Sequence, residues 1–216
     1  MIAPGRDHPP RVVVHGGFHK TGTTSAQQFL WSNGEFMFPR AALVLPGKLR
    51  HGAARMAVRY SRTGKAGHLS DYKDALAMVL GGLDLGLKRH AVISDENLCG
   101  RMPGRDGHEG YDAAPALMAA TAEVIRDAIH PDADIHFLFT TRDADSWLRS
   151  CWLHNLRNSR LELDFDAYRA FHEETANLAD TVEAIRQAVN PHPVHSVALE
   201  DLSGNPEGPA AAILQL

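Results

Sequence analysis

The chain has 216 residues, of which 44% are hydrophobic and 22% are charged, as is ordinary for a globular protein in water. Its formal net charge of −4 argues against nucleic acid or another general polyanion as a partner, while leaving room for a local basic cleft. This length fits one α/β domain over residues 1–216, within which we expect residues 1–10 to be flexible.

Neither a metal site nor membrane attachment is predicted. Cys99 and Cys151 lie far apart, which favours buried or idle thiols in a reducing compartment. The 13 histidines form no His-Glu-x-x-His cluster or comparable arrangement of ligands. The start of the chain has no apolar stretch of signal-peptide length, and no later run could span a bilayer, so we expect a soluble, cytoplasmic protein.

The first predicted elements surround a glycine-containing loop. Residues 11–14 form an apolar, β-branched run that predicts a short buried strand, and a helix should begin near Thr24. The loop between them consists of residues 15–25, His-Gly-Gly-Phe-His-Lys-Thr-Gly-Thr-Thr-Ser. At such a junction, backbone N–H groups and the positive end of the helix converge on one spot, which suits an anion. The lysine and the hydroxyl residues of the loop favour a phosphate.

This loop does not have the Walker A pattern of ATPases. That pattern needs four residues between two glycines, followed directly by Lys-Ser/Thr. Here Gly22 is followed by Thr23, and Lys20 lies two residues before the glycine. A nucleotide kinase therefore remains only an alternative hypothesis, one that would require magnesium and ATP.

Strands and helices are predicted to alternate along the rest of the chain. The further strands are expected at residues 41–45, 91–94, 135–140 and 194–199. The helices are expected at residues 50–60, from Asp71, from Asp112, from Asp143 to about Asn158, and as one long helix from Asp164 or Asp166 to Asn190. This alternation predicts an α/β fold with a central, mainly parallel five-stranded sheet flanked by helices.

Two connecting segments have compositions that suggest a role at a site. Residues 59–70 carry several cations among small residues, which fits either a solvated loop or a basic rim beside an anion. Residues 98–112 are rich in glycine and charge and are long for a connection, which suggests a mobile lid or substrate loop. Asp95 and Glu96 follow the third strand, at the edge of the sheet where α/β folds place their active sites.

A second phosphate contact is predicted at the end of the fourth strand. Arg142 follows that strand, and Ser150 comes eight residues later, two turns along the next helix. The guanidinium could hold one phosphate with two hydrogen bonds, and the hydroxyl could add another.

Two motifs together resemble the sulfotransferase family. Residues 20–25, Lys-Thr-Gly-Thr-Thr-Ser, are similar to its 5′-phosphosulfate loop. Residues 140–150, Thr-Thr-Arg-Asp-Ala-Asp-Ser-Trp-Leu-Arg-Ser, look like its 3′-phosphate motif, with the family's arginine and serine at Arg142 and Ser150. Two later segments also resemble that family: Glu200-Asp201-Leu202 is similar to its late Glu-Asp-Leu element, and the Ala-rich end is similar to its final helix. The similarity is closest to bacterial members, and it implies a P-loop-type three-layer domain.

The resemblance implies transfer of a sulfuryl group from 3′-phosphoadenosine-5′-phosphosulfate (PAPS) without a metal ion. The acceptor would be a hydroxyl or amine of a small molecule or carbohydrate. The residues implied at the cosubstrate are Lys20, Thr21, Gly22, Thr23, Thr24, Ser25, Arg142 and Ser150. Lys20 would also be catalytic, because it would neutralise the leaving oxygen, and Glu96 is our choice of base. Asp95, His51 and His19 remain open as bases.

The chain departs from the family at two points. It has no basic Arg-Lys-Gly loop, and no Trp directly follows the Thr-Thr pair. By residue type alone, Trp31 and Trp147 could hold the adenine. A second alternative is a non-catalytic PAPS-binding protein, which would tolerate the loss of every candidate base. The sequence indicates neither the acceptor nor the oligomeric state.

Overall fold

Five short apolar runs form a parallel sheet at the centre of the protein. In the computed structural model, which describes residues 9–86, 89–104, 109–158 and 161–216, the strands are β1 (Arg11–His15), β2 (Ala41–Val44), β3 (His90–Ser94), β4 (Asp134–Thr141) and β5 (Val194–Ala198). Their order is β2-β3-β1-β4-β5, and every neighbouring pair is parallel. The predicted α/β fold with a five-stranded parallel sheet is confirmed.

Helices cover both faces of this sheet. They are α1 (Thr23–Ser32), α2 (Gly34–Met37), α3 (Pro46–Leu49), α4 (Ala53–Thr63), α5 (Ala66–Gly81), α6 (Ala114–Ala128), α7 (Ala144–Asn158), α8 (Phe165–His172), α9 (Leu178–Ala188) and α10 (Ala211–Leu214). Among the residues that the structure describes, none of these helices combines the length and hydropathy needed to cross a membrane.

Alternation along β1 divides the core into two layers. Val12 and Val14 pack with α4, α5, α6 and α9 on one face, whereas Val13 packs with α1 and α10 on the other. Because the sheet is parallel and β1 is its middle strand, the carboxyl ends of β3, β1 and β4 lie side by side. Cys99 and Cys151 are both buried, and neither forms a disulfide bond.

The segment predicted as a basic loop, residues 59–70, is helical. Helix α4 continues to Thr63, and α5 already begins at Ala66 instead of Asp71. Gly64 ends α4 in the left-handed region, with φ 61°, and its N–H donates to the Tyr60 carbonyl. One glycine with this φ is enough to reverse the chain, so no long loop is needed.

The segment predicted as a lid, residues 98–112, is largely packed into the protein where it is described. A short 3₁₀ helix spans Glu96–Cys99, and Met102 and Tyr111 beyond it are buried. The N–H of Arg101 donates to the Ser61 hydroxyl at 2.9 Å. Residues 105–108 lie outside the described residues. The described part of this segment is therefore a fixed wall rather than an exposed flap.

The single long helix predicted over residues 164–190 is two helices. Asp164 caps α8 by accepting from the N–H of Ala167 at 2.9 Å, as predicted for the start of the element. A 3₁₀ turn at Glu174–Ala176 then interrupts the helix. Asn177 begins α9 by accepting from the N–H of Ala179 at 3.2 Å. The second cap explains the break, because an Asn side chain that bonds the backbone two residues ahead favours a helix start.

Candidate functional site

A cavity of about 510 Å³ lies where the loop after β1 meets the carboxyl end of β4 and helix α7. Its lining residues are His19, Lys20, Gly22, Thr23, Thr24, Ser25, Glu96, Asn97, Met102, Arg142, Ser150, His154 and Leu199. Every residue predicted to contact the cosubstrate, apart from Thr21, is in this set. Two motifs more than a hundred residues apart in sequence thus share one cavity.

The loop after β1 takes backbone conformations that only a few residues tolerate. Gly17 and Gly22 have φ values of 42° and 91°, and Lys20 has a φ of 68°. A Cβ on Gly17 would lie 2.2 Å from Cγ2 of Thr23. Left-handed backbone at a non-glycine residue is uncommon and concentrates at functional sites. Since no described residue bonds the Lys20 ammonium, its charge is available to a ligand.

Helix α1 begins at the cavity with its first turn uncapped by any side chain. Gly22 is the N-cap residue and cannot supply a side-chain acceptor. The first N–H groups of a helix have no partner within the helix, and the N-terminus carries partial positive charge. Thr23, Thr24 and Ser25 make up this first turn and line the cavity. These donors, next to Lys20, fit a phosphate group.

Thr21 does not line the cavity, unlike the other residues predicted at the cosubstrate. It is fully buried, and its hydroxyl donates to the Phe18 carbonyl at 2.7 Å. The same oxygen accepts from the N–H of Phe18 at 3.3 Å. Because both capacities are used inside the loop, Thr21 shapes the loop instead of binding a ligand through its hydroxyl.

Side chains from later in the sequence form hydrogen bonds with the backbone of the loop after β1. Nη1 of Arg142 donates to the Lys20 carbonyl at 3.2 Å. Nε1 of Trp147 donates to the His19 carbonyl at 2.9 Å, and the N–H of His19 donates to the Tyr111 hydroxyl at 3.0 Å. Three side chains, from the residue after β4, from α7 and from the segment before α6, therefore hold three consecutive peptide units.

Neither tryptophan proposed for the adenine lines the cavity. Trp147 is buried and uses its indole N–H on the loop, so its ring belongs to the core. Trp31 is 66% exposed on α1, where its ring packs edge-on against Phe38. Adenine stacking on either ring is not supported.

Arg142 and Ser150 both line the cavity, and Ser146 holds the arginine. Nε of Arg142 donates to the Ser146 hydroxyl at 3.3 Å, which fixes the guanidinium against the first turn of α7. The Ser150 hydroxyl makes no hydrogen bond with another described residue. Ser146 was missed at the sequence level, although its position one helical turn before Ser150 places both on one face.

Glu96 lines the cavity next to the loop and is held by α1. The Gln27 side-chain amide donates to Oε2 of Glu96 at 3.2 Å and to the Ser94 hydroxyl at 3.3 Å. Glu96 is half-buried. The amide therefore aims this carboxylate from inside the protein while the rest of the group remains accessible.

Beneath the loop lies a buried histidine that sequence reasoning missed. Nδ1 of His15 is 2.8 Å from the Ser94 hydroxyl, and Nε2 is 3.1 Å from the Thr140 hydroxyl. Burial lowers the pKa of His15 to about 4, and the nearby charge of Glu96 only partly counters this effect. A neutral imidazole thus joins the ends of three neighbouring strands. A histidine at the last position of a buried strand was the available signal.

The other residues considered as bases occupy three different places. His19 lines the cavity, with its ring between the Tyr111 hydroxyl, 3.0 Å from Nδ1, and the Asn97 amide oxygen, 3.3 Å from Nε2. Asp95 lies behind Asn97 and is buried. His51 is exposed and does not line this cavity. Of these three, only His19 lines the first cavity, whereas Asp95 lines a second cavity that also contains Glu96.

A second cavity of about 490 Å³ adjoins the first. The two share Thr24, Glu96 and Asn97 as a common wall. None of the cations between Arg59 and His68 lines either cavity, so the predicted basic rim is not found there. The cations that line the second cavity are Arg50 and Arg55 instead.

Within the described part of the chain, no group of three or more His, Cys, Asp or Glu side chains could hold a metal ion. The donors that line the first cavity are of another kind. They are an ammonium, a guanidinium, hydroxyls and the N-terminus of a helix, which suit anionic oxygens. This set fits the phosphates of a nucleotide.

No protein-family model matches the sequence, and no curated protein matches it. The structure is similar to that of a sulfotransferase from Alicyclobacillus acidocaldarius, with a TM-score of 0.51, 18% identity, and coverage of 92% of this chain and 76% of that chain. It is also similar to a candidate kinase from Chloroflexus aurantiacus, with a TM-score of 0.42, 14% identity and 96% coverage of both chains. The similarity to the sulfotransferase shows a shared fold. The similarity to the kinase is too low to show one.

Proposed function

We propose that this protein is a sulfotransferase that moves a sulfuryl group from PAPS to the hydroxyl or amine of a small-molecule or carbohydrate acceptor. The observation that carries the proposal is the contact between the two motifs. Arg142 donates to the Lys20 carbonyl, so the loop after β1 and the end of β4 face one cavity. A nucleotide with phosphates at both its 5′ and 3′ positions needs two separate anion sites of this kind.

The two anion sites divide the nucleotide between them in this proposal. The 5′-phosphosulfate lies against Lys20 and the first turn of α1. The 3′-phosphate lies against the Arg142 guanidinium and the Ser150 hydroxyl. Thr21 contributes only the shape of the loop, because its hydroxyl is used within it.

The proposed reaction is an in-line transfer. The acceptor oxygen attacks the sulfur and forms a new S–O bond, while the bond from sulfur to the bridging phosphate oxygen breaks. The proton of the acceptor hydroxyl passes to Glu96, and the electron pair of the broken bond remains on the 5′-phosphate. Lys20 opposes that growing charge, which stabilises the transition state more than the ground state. In this scheme Lys20 and the end of α1 supply the positive charge that a divalent ion would otherwise provide.

Binding separates this proposal from a nucleotide kinase. Calorimetry with adenosine 3′,5′-bisphosphate, the desulfated product, should give tight binding in the presence of EDTA. Binding of ATP with Mg²⁺ but not of the bisphosphate would overturn the proposal in favour of a kinase.

Turnover separates it from a non-catalytic PAPS-binding protein. Radiolabelled sulfate from PAPS should reach at least one compound in a panel of sugars, phenols and amines. Glu96→Gln should abolish that transfer and leave the affinity for the bisphosphate unchanged. Equal transfer by the variant and the unaltered protein would exclude Glu96 as the base, and His19→Gln is then the next variant to assay.

A further inference from the structure

The second cavity has a mixed lining of opposite charges and small apolar groups. The residues outside the shared wall are Gln27, Pro46, Arg50, Ala54, Arg55, Val58 and Asp95. It opens beside Glu96, which belongs to both cavities. A compound in the second cavity would therefore meet the base at one end.

Asp95 leaves one carboxylate oxygen without a hydrogen bond. Only 1% of this residue is exposed. Its Oδ1 accepts from both the N–H and the side-chain amide of Asn97, at 2.9 and 2.8 Å. Its Oδ2 is buried and has no hydrogen-bond partner. Because buried polar atoms are nearly always paired, a cavity lined by this group calls for a ligand that donates a hydrogen bond to it.

Arg50 and Arg55 give the same cavity a cationic side. Neither guanidinium has a hydrogen bond or ion pair with another described residue, and both side chains are exposed. Arg55 lies in the first turn of α4, where Gly52 supplies no side-chain cap. Two arginines and the positive end of an 11-residue helix thus face one opening. This arrangement suits a phosphate or carboxylate.

We propose that the second cavity holds the acceptor, and that the acceptor is a small alcohol carrying a phosphate or carboxylate group. Its hydroxyl groups lie at Glu96 and Asp95, and its anion lies at Arg50 and Arg55. Ala54 and Val58 border the carbon atoms between the two ends. A cationic amine would meet the two arginines, which disfavours it. This inference rests on the proposed function for the identity of the transfer, but the binding it predicts can be measured alone.

Matched pairs of small alcohols test the inference directly. Glucose 6-phosphate is compared with glucose, and gluconate with sorbitol, by calorimetry on the full chain with and without adenosine 3′,5′-bisphosphate. The variants are Arg50→Gln, Arg55→Gln and Asp95→Asn, and the control is Arg59→Gln, which removes an equal charge from α4 outside both cavities. Inorganic phosphate is titrated as the bare anion.

The expected result is that at least one anionic alcohol binds about tenfold or more tightly than its neutral counterpart. Arg50→Gln or Arg55→Gln should remove that preference. Asp95→Asn should weaken the binding of both alcohols of a pair, and Arg59→Gln should change neither the preference nor the affinities. Equal binding within both pairs, an equal loss in Arg59→Gln, or inorganic phosphate binding as tightly as the anionic alcohols would each overturn the inference. Failure of the bisphosphate to bind, with the preference intact, would overturn the proposed function alone.

Discussion

The Arg142 guanidinium donates a 3.2 Å hydrogen bond to the backbone carbonyl of Lys20, across 122 positions of sequence. Arg142 therefore has two tasks in the proposed site. It holds in place the loop whose lysine is proposed to contact the 5′-phosphate, and it lines the cavity proposed for the 3′-phosphate. These tasks can be separated by nucleotides that differ only at the 3′ position.

Arg142→Ala should weaken binding of adenosine 3′,5′-bisphosphate by about 10- to 100-fold, as expected for the loss of a hydrogen-bonded charge. Its effect on adenosine 5′-monophosphate should be much smaller, because that nucleotide lacks the 3′-phosphate. Calorimetry with both nucleotides measures the difference. Arg157→Ala, an exposed arginine of α7, is the control. Equal losses for both nucleotides would mean that Arg142 acts only by fastening the loop.

Gly22→Ala should damage the loop from two directions. The added Cβ would lie 2.8 Å from Cδ1 of Leu199 and 2.9 Å from Cγ of Pro209, and the φ of 91° is strained for alanine. We expect a loss of about 1–3 kcal/mol in the free energy of unfolding, with nucleotide binding weakened at least tenfold. Gly47→Ala is the control, because its Cβ would meet nothing within 4 Å. An unchanged free energy of unfolding for Gly22→Ala, measured by urea denaturation, would contradict this account of the turn.

Gln27→Leu should lower kcat by about tenfold, because it removes the 3.2 Å hydrogen bond that aims the Glu96 carboxylate. Affinity for the bisphosphate should not change, since Gln27 is absent from the first cavity's lining. Gln28→Leu is a matched control on the exposed side of the same helix. An unchanged kcat, or the same fall in the control, would show that Gln27 does not position the proposed base, Glu96.

Two buried groups near the site should make opposite contributions to stability as the pH changes. Burial lowers the pKa of His15 from 6.5 to about 4, so its contribution falls as the pH drops from 6.5 to 4. Burial raises the pKa of Asp95 from 3.8 to about 6, with the hydrogen bonds from Asn97 opposing that shift, so its contribution falls as the pH rises from 4 to 6. Each amounts to about 3 kcal/mol, and in the unaltered protein the two largely offset.

Single variants expose each contribution. From pH 6.5 to 4.5, His15→Asn should gain stability on acidification relative to the unaltered protein, because only the Asp95 contribution remains. Asp95→Asn should lose stability over the same range. Urea unfolding at intervals of one pH unit gives the free energies. Stability profiles that run parallel in all three proteins would contradict the proposed ionisation of both groups.

Local patterns in the sequence were enough to locate the strands and the polar side chains at their carboxyl ends. A buried apolar run shows its period within a few residues, and parallel strands bring their carboxyl ends to one edge. The glycine-containing loop, Glu96 after β3, and Arg142 and Ser150 after β4 therefore all lie where they were expected. Helix bounds were less accurate because single capping residues, such as Gly64 and Asn177, decide them.

Only the tertiary structure decided how each of these side chains is used. Thr21 and Trp147 are residue types common in binding sites, yet both donate hydrogen bonds to backbone carbonyls of the loop itself. The hydrogen bonds of His15, and the cavity between Arg50 and Asp95, depend on which strands are neighbours. The order β2-β3-β1-β4-β5 sets those contacts. Strand order arises from long-range packing, which hydrophobic periodicity within one segment does not encode.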